Sequence, residues 1–123
     1  MASQKYTILY GRLSQEDDRA GDSNSIVNQR LLLERYAQTN GFENTLFLAD
    51  DGYSGTNFDR PSWKKVIELI EADEVDTLIV KDMSRLGREY LQVGQLTELY
   101  LPTKGVRFIA INDGVDSLVE SST

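Results

Sequence analysis

Ser14 stands two positions after Arg12, and three further arginines, Arg60, Arg85 and Arg88, lie in polar, turn-rich stretches of the chain. A hydroxyl becomes a nucleophile only if its proton is removed and the charge developing on the target's oxygens is met by cations or hydrogen-bond donors. Arginine suits the second task, because its planar fork spans two phosphate oxygens and keeps its charge at every relevant pH. The chain holds neither His nor Cys. A Ser-His-Asp triad, a thiolate nucleophile, a disulfide framework and a zinc–thiolate site are therefore excluded within it. Ser, Thr, Tyr, Asp, Glu, Lys and Arg remain. A hydroxyl surrounded by guanidinium groups is what in-line attack on a phosphodiester needs, since the non-bridging oxygens must be neutralised.

Each of these residues also has a plain structural reading. Ser14 alone is a loop serine, and Arg12 alone a surface arginine at a strand end. Arg85 and Arg88 are three apart, an ordinary solvated pair if they lie on a helix, and Arg60 could simply pair with Asp59. Asp50 and Asp51 invite a magnesium reading, but no third acid converges with them in sequence, and no metal is expected. Asp51 either orients an arginine or caps a turn. Gln29 either helps align a site or is an exposed polar residue on a helix.

The elements that must position these groups are legible from periodicity. Tyr6 to Tyr10 is β-branched and aromatic and predicts strand one; the polar stretch from Ser14 to Ser25 predicts a loop. A helical pattern then runs through Ile26, Leu33 and Ala37, with Ser25 or Ser23 as N-cap and Gly41 as stop. Thr45 to Ala49 predicts strand two, and Asp50 to Arg60 a turn-rich connection. Pro61 opens a helix whose apolar face carries Trp63, Val66, Ile67 and Ile70. Thr77 to Val80 is a continuous apolar run, as in a buried parallel strand. Lys81 to Arg88 predicts a charged turn before a helix carrying Leu91, Leu96, Leu99 and Tyr100, ended by Pro102 and Gly105. That stripe reads as packing, although Tyr90 and Leu91 could instead face a partner subunit. Val106 to Ile111 predicts strand four.

Strand and helix alternate throughout, so the fold class is α/β: a mostly parallel sheet of about four to five strands with helices on both faces. Sites in such sheets form beyond the carboxyl ends of the strands. The segments there hold Arg12, Arg60, Lys81, Arg85 and Arg88, five of the 13 basic residues in a chain of net charge −7. The overall acidity weighs against tight DNA binding by this chain alone, yet the cations gather where a ligand should sit.

Length bounds the rest: 123 residues make one domain, with ordinary globular proportions of 40% hydrophobic and 27% charged residues. No apolar run approaches the roughly 20 residues of a membrane span, and Met1 to Lys5 lacks signal-peptide anatomy, so no membrane association and a cytoplasmic location are expected. Residues 114–123 are polar and contain no complete element. We expect a domain over residues 1–116 and a truncated tail at 117–123.

Four motifs in order carry a family resemblance. Tyr10-Gly11-Arg12-Leu13-Ser14 resembles the Tyr-x-Arg-x-Ser motif opening the catalytic domain of serine site-specific recombinases (the resolvase/invertase family). Ser25-Ile26-Val27-Asn28-Gln29 is similar to the start of its first helix. Asp51-Gly52-Tyr53-Ser54-Gly55 with Phe58-Asp59-Arg60-Pro61 is similar to its second block, and Ser84-Arg85-Leu86-Gly87-Arg88 to its third. The wording of the second block leans toward the large serine recombinases, including transposon and phage integrases. The resemblance covers residues 5 to about 116.

The resemblance implies a resolvase-like fold and a DNA recombinase. Ser14 would become joined to a 5′ phosphate, with Arg12, Arg60, Arg85 and Arg88 around the scissile phosphate and Gln29 and Asp51 aligning the site. It implies no cofactor and no small-molecule substrate. The partners would be double-stranded DNA and further copies of the protein, a dimer on a site and a tetramer in the synaptic complex. A long assembly helix and DNA-binding domains would follow the catalytic domain, and without them the fragment would be nearly inactive. One position departs from the pattern: small resolvases carry an acid immediately before the Arg-Leu-Gly-Arg run, where this chain has Ser84, with Asp82 two residues away. The source of the leaving hydroxyl's proton is thereby left open between Arg85 and Arg88. The rival from another class is a receiver-type signalling or assembly module, which would need an acidic pair after strand one and an acceptor Asp after strand three.

Overall fold

Buried side chains alternate along the central strands, and that alternation divides the core between the two faces of the sheet. The computed structural model describes residues 5–13, 25–51, 60–86 and 90–117. Strand β1 is Tyr6–Leu13, α1 is Ile26–Thr39, β2 is Thr45–Asp51, α2 is Pro61–Glu71 and β3 is Val75–Val80. A 3-10 turn at Met83–Arg85 precedes α3 (Tyr90–Gln95), a π-helical turn (Leu96–Tyr100) and α4 (Leu101–Thr103), and the last described elements are β4 (Arg107–Ala110) and β5 (Val115–Asp116). The strand order is β2-β1-β3-β4-β5. Every pair is parallel except β4–β5.

Successive residues of a strand face opposite sides. Ile8 and Tyr10, Leu78 and Val80, and Phe108 and Ala110 accordingly share one core with Trp63, Val66 and Ile70 of α2. Leu9, Ile79 and Ile109 pack on the other side with Leu33 and Ala37 of α1. Helices thus cover both faces of a mostly parallel sheet, as the alternating pattern predicts. Among the described residues no helix is long and apolar enough to cross a membrane.

Helix boundaries follow local chemistry. Ser25 caps α1 by accepting from the Asn28 amide at 3.1 Å. At its other end Phe42 N donates to Ala37 O at 2.9 Å and Gly41 N to Gln38 O at 3.3 Å. That pairing turns the chain through a positive φ of 77° at Gly41, a conformation glycine adopts without strain.

The structure corrects the sequence reading in four places. Strand β1 continues through Leu13 and β2 through Asp51, because the ladder between them extends to the pairs Arg12↔Asp50 and Leu13↔Asp51; Arg12 and Asp51 are strand residues, not loop residues. Pro102 does not end its helix but lies in α4, directly after the π-helical turn. A proline offers no N–H to the carbonyl four residues back, and a widened turn is one way a helix absorbs that loss. The stripe read as packing holds in half of its members: Leu96 and Tyr100 pack against the core shared with α2, whereas Leu91 is 77% and Leu99 64% exposed, and Val93 and Leu101 are buried beside them. Finally, residues 115–116, expected to belong to no complete element, pair antiparallel with β4, where Arg107 grips Asp116 through two hydrogen bonds of 2.9 and 2.6 Å.

Trp63 is 3% exposed and meets the Tyr10 ring edge-on at 5.2 Å between centroids. Replacing it by alanine should lower the unfolding free energy by about 3–5 kcal/mol, the usual cost of emptying a buried aromatic site. Urea unfolding of the Trp63→Ala protein checks this, and an unchanged midpoint would contradict the packing.

Candidate active site

From β1 the chain passes to β2 on one side and later to β3 on the other, so the strand order changes direction at β1. Between the carboxyl ends of β1 and β3 neighbouring connections diverge and leave a crevice, the usual ligand position in such sheets. Three arginines from separate segments converge there: Arg12 near the end of β1, Arg60 at the N-cap of α2, and Arg85 in the turn after β3. Arg12 and Arg60 have no solvent-accessible surface and Arg85 only 4%.

A buried guanidinium is costly unless its donors find acceptors. Here three consecutive carbonyls of the turn after β3 supply them. Arg12 donates from Nη2 to Ser84 O at 2.6 Å and from Nε to Arg85 O at 3.3 Å. Arg60 donates from Nη1 to Arg85 O at 3.0 Å and from Nη2 to Leu86 O. Arg85 reciprocates across the crevice, its Nη1 donating to Arg12 O at 2.5 Å. Its remaining edge meets Asp82 and Ser84.

Gln29 holds Arg12 from the opposite face of the sheet. Its Oε1 accepts from Arg12 N and its Nε2 donates to Arg12 O, both at 3.0 Å. This carboxamide is fully buried, so Gln29 is not an exposed helix residue. Gly11 makes the approach possible: a Cβ there would stand 2.9 Å from Gln29 Oε1. A side chain at position 11 would push away the group that fixes Arg12.

The buried acid is Asp50, which the sequence reading did not place in the site. Its carboxylate accepts from the Tyr10 hydroxyl at 2.7 Å and from the amides of Ser62 and Trp63 at 2.9 Å each. The last two are orphan donors in the first turn of α2, so a residue of β2 caps that helix from outside, where negative charge is also favoured by the helix dipole. Asp51 is exposed, because the next residue of a strand faces the other side. Parity was the signal that could have found Asp50: counting by two from Leu46 and Leu48 reaches Asp50, opposite Arg12 in register. Tyr10 passes the contact on, accepting from Arg60 Nη1 at 3.1 Å. The chain of groups Asp50, Tyr10, Arg60 therefore anchors one arginine to β1, β2 and α2 together.

The expected nucleophile Ser14 and the fourth arginine, Arg88, lie outside the described residues. The structure brings together Arg12, Arg60, Arg85 and Gln29; it adds Tyr10, Asp50 and Asp82, and leaves Asp51 exposed at the sheet edge. Two carboxylates, Asp50 and Asp82, enter a network of three guanidinium groups, so positive charge is in excess among these groups. A receiver-type site needs an acidic pair at the end of β1, where this chain has Arg12.

Burial raises the Tyr10 phenol well above its ordinary value, with the Asp50 carboxylate adding to the shift and the Arg60 cation opposing it. In the unfolded chain the phenol ionises near pH 10. The raised folded value means its contribution to stability is complete below about pH 10 and is lost as pH rises further. Tyr100, pushed up to about 12 by burial and by Glu71, acts with the same sign. Stability measured by urea unfolding should therefore fall as pH rises above about 10, and Tyr10→Phe should flatten that fall. An identical alkaline slope in the variant would refute the assignment.

The comparisons with known proteins agree with this geometry. The chain matches the family model described as "Resolvase, N terminal domain" over residues 7–123. Among solved structures it is similar to the N-terminal catalytic domain of TP901-1 integrase, with a TM-score of 0.79 and 26% identity over 93% of this chain and 82% of that one. A resolvase family site-specific recombinase from Streptococcus pneumoniae gives 0.74 and 26% over 97% and 83%. A serine recombinase from Sulfolobus solfataricus gives 0.68 and 29% over 98% and 78%.

Proposed function

The chain belongs to the resolvase family and is a serine recombinase catalytic domain, a DNA-cleaving and -rejoining enzyme; from that premise we propose that Ser14 is the attacking group and the arginine cluster its phosphate site. The observation that carries this reading is the convergence of Arg12, Arg60 and Arg85 at the carboxyl edge of β1 and β3, two residues ahead of a serine. Phosphodiester attack concentrates charge on the non-bridging oxygens, and preorganised cations in a water-poor site stabilise it most.

In the proposed reaction the Ser14 oxygen attacks phosphorus in line as its proton departs. The bond from phosphorus to the 3′ oxygen breaks, and that oxygen leaves as a hydroxyl after taking up a proton. The 5′ phosphate remains esterified to Ser14, so the bond energy is kept for religation to a new 3′ hydroxyl. Arg12, Arg60, Arg85 and Arg88 neutralise the phosphate, and Gln29 fixes the Arg12 backbone. The three described guanidinium groups hydrogen-bond to the protein's own carbonyls, so phosphate oxygens must share or displace those acceptors as DNA engages. Asp51 has no part in this scheme; Asp50 takes the aligning role through Tyr10.

Members of the family bind DNA and oligomerise. For this chain we propose a dimer on each recombination site and a tetramer when two sites meet, which lets cleaved strands exchange while every 5′ end stays covalently held.

On a duplex whose cleaved strand is released, the full-length recombinase should accumulate a covalent protein–DNA adduct, with the DNA on the Ser14 peptide by mass spectrometry. Ser14→Ala should form none while still binding its site. Adduct formation by the Ser14→Ala protein, or attachment at another residue, would overturn the assignment.

A further inference from the structure

The turn after β3 contains a closed ring of polar contacts that the proposed reaction does not use. Arg85 Nε donates to Asp82 Oδ1 at 3.3 Å, and Arg85 Nη2 donates to Ser84 Oγ at 2.9 Å. Ser84 Oγ donates in turn to the same Asp82 oxygen. One edge of the guanidinium therefore faces two oxygens, as it does on a carboxylate. Here only one of the two belongs to the acid; the other is a hydroxyl that hands its hydrogen bond on to it. Asp82 is 23% exposed in its side chain against 4% for Arg85, so the carboxylate stands at the rim and the arginine inside.

Backbone geometry explains how an acid three residues earlier reaches Arg85. In a 3-10 turn, side chains at i and i+3 eclipse, and Asp82 and Arg85 are so spaced across the turn that Asp82 begins. The turn is also braced from elsewhere. Asp113 accepts from Met83 N at 2.7 Å, and Asn112 N donates to Lys81 O at 2.8 Å. Its path thus does not depend on the Asp82–Arg85 pair alone.

We propose that Asp82 is a positioning residue for Arg85, holding the guanidinium edge directly and through the Ser84 hydroxyl so that the group meets the scissile phosphate in a fixed orientation. Ser84 is then no substitute acid but a spacer that extends the reach of a carboxylate two positions away. Asp82 touches neither DNA nor the reacting atoms; it acts through Arg85. The inference rests on the reading of Arg85 as a phosphate-binding group.

The test moves the acid. In the full-length recombinase, Asp82→Asn should slow single-turnover cleavage by about 10- to 100-fold, the cost of a misplaced catalytic group, with site affinity unchanged. Adding Ser84→Asp to that variant places a carboxylate beside Arg85 and should restore most of the lost rate. Full activity in Asp82→Asn, weakened DNA binding, or failure of the double variant to recover would each overturn the proposal. A second readout needs no DNA: the Arg85 Nε–H should exchange slowly with water by NMR, faster in Asp82→Asn, and slowly again in the double variant. If that pattern holds while Ser14→Ala still forms adduct, the clamp stands and the nucleophile reading fails. Exchange indifferent to Asp82 would sink the clamp itself.

Discussion

Three successive carbonyls, those of Ser84, Arg85 and Leu86, receive the buried guanidinium groups of Arg12 and Arg60, and the rest of the site is arranged around that demand. An arginine removed from water is strongly disfavoured unless its donors are matched. The turn after β3 must therefore present its carbonyls toward the end of β1, and the end of β1 must present Arg12 toward the turn. The clasp is reciprocal, since Arg12 donates to the Arg85 carbonyl while Arg85 donates to the Arg12 carbonyl. Each arginine holds the backbone of the other, which fixes two strand ends relative to each other without an intervening ligand.

Acidity elsewhere makes sense beside this cluster. The chain carries net charge −7, yet three of its 13 basic side chains meet in one crevice, with the carboxylates of Asp50 and Asp82 joined to their network. One of those, Asp50, has its charge spread over the α2 amides and the Tyr10 hydroxyl. The other, Asp82, lies at the rim. Such a distribution keeps a local cluster of positive charge within a chain whose net charge is negative.

Much of this was readable beforehand, for a physical reason. A short, β-branched apolar run such as Thr77–Val80 reads as a buried strand, and alternation with helical periods leaves few topologies open. The rule that ligands meet strand carboxyl ends then brought Arg12, Arg60 and Arg85 together on paper. Side-chain parity was harder to see. Strands β1 and β2 run longer than their apolar cores suggest, so Asp50 faces inward and Asp51 outward, the reverse of what the motif alone implied. Leu91 and Leu99 lie on the exposed side of their helix while Val93 and Leu101 face the core, a choice of face that irregularly spaced leucines do not encode.

Local pattern, then, determined by itself the elements, their order and the set of cations at one edge, because periodicity and turn chemistry act over a few residues. The tertiary structure alone decided which acid is buried, that Gln29 reaches through the close approach at Gly11, and that Asp82 reaches Arg85 by way of Ser84. Those facts depend on distances between groups as many as 73 positions apart in the chain. Such distances are set by strand register and by the matching of buried donors, which no stretch of neighbouring residues encodes.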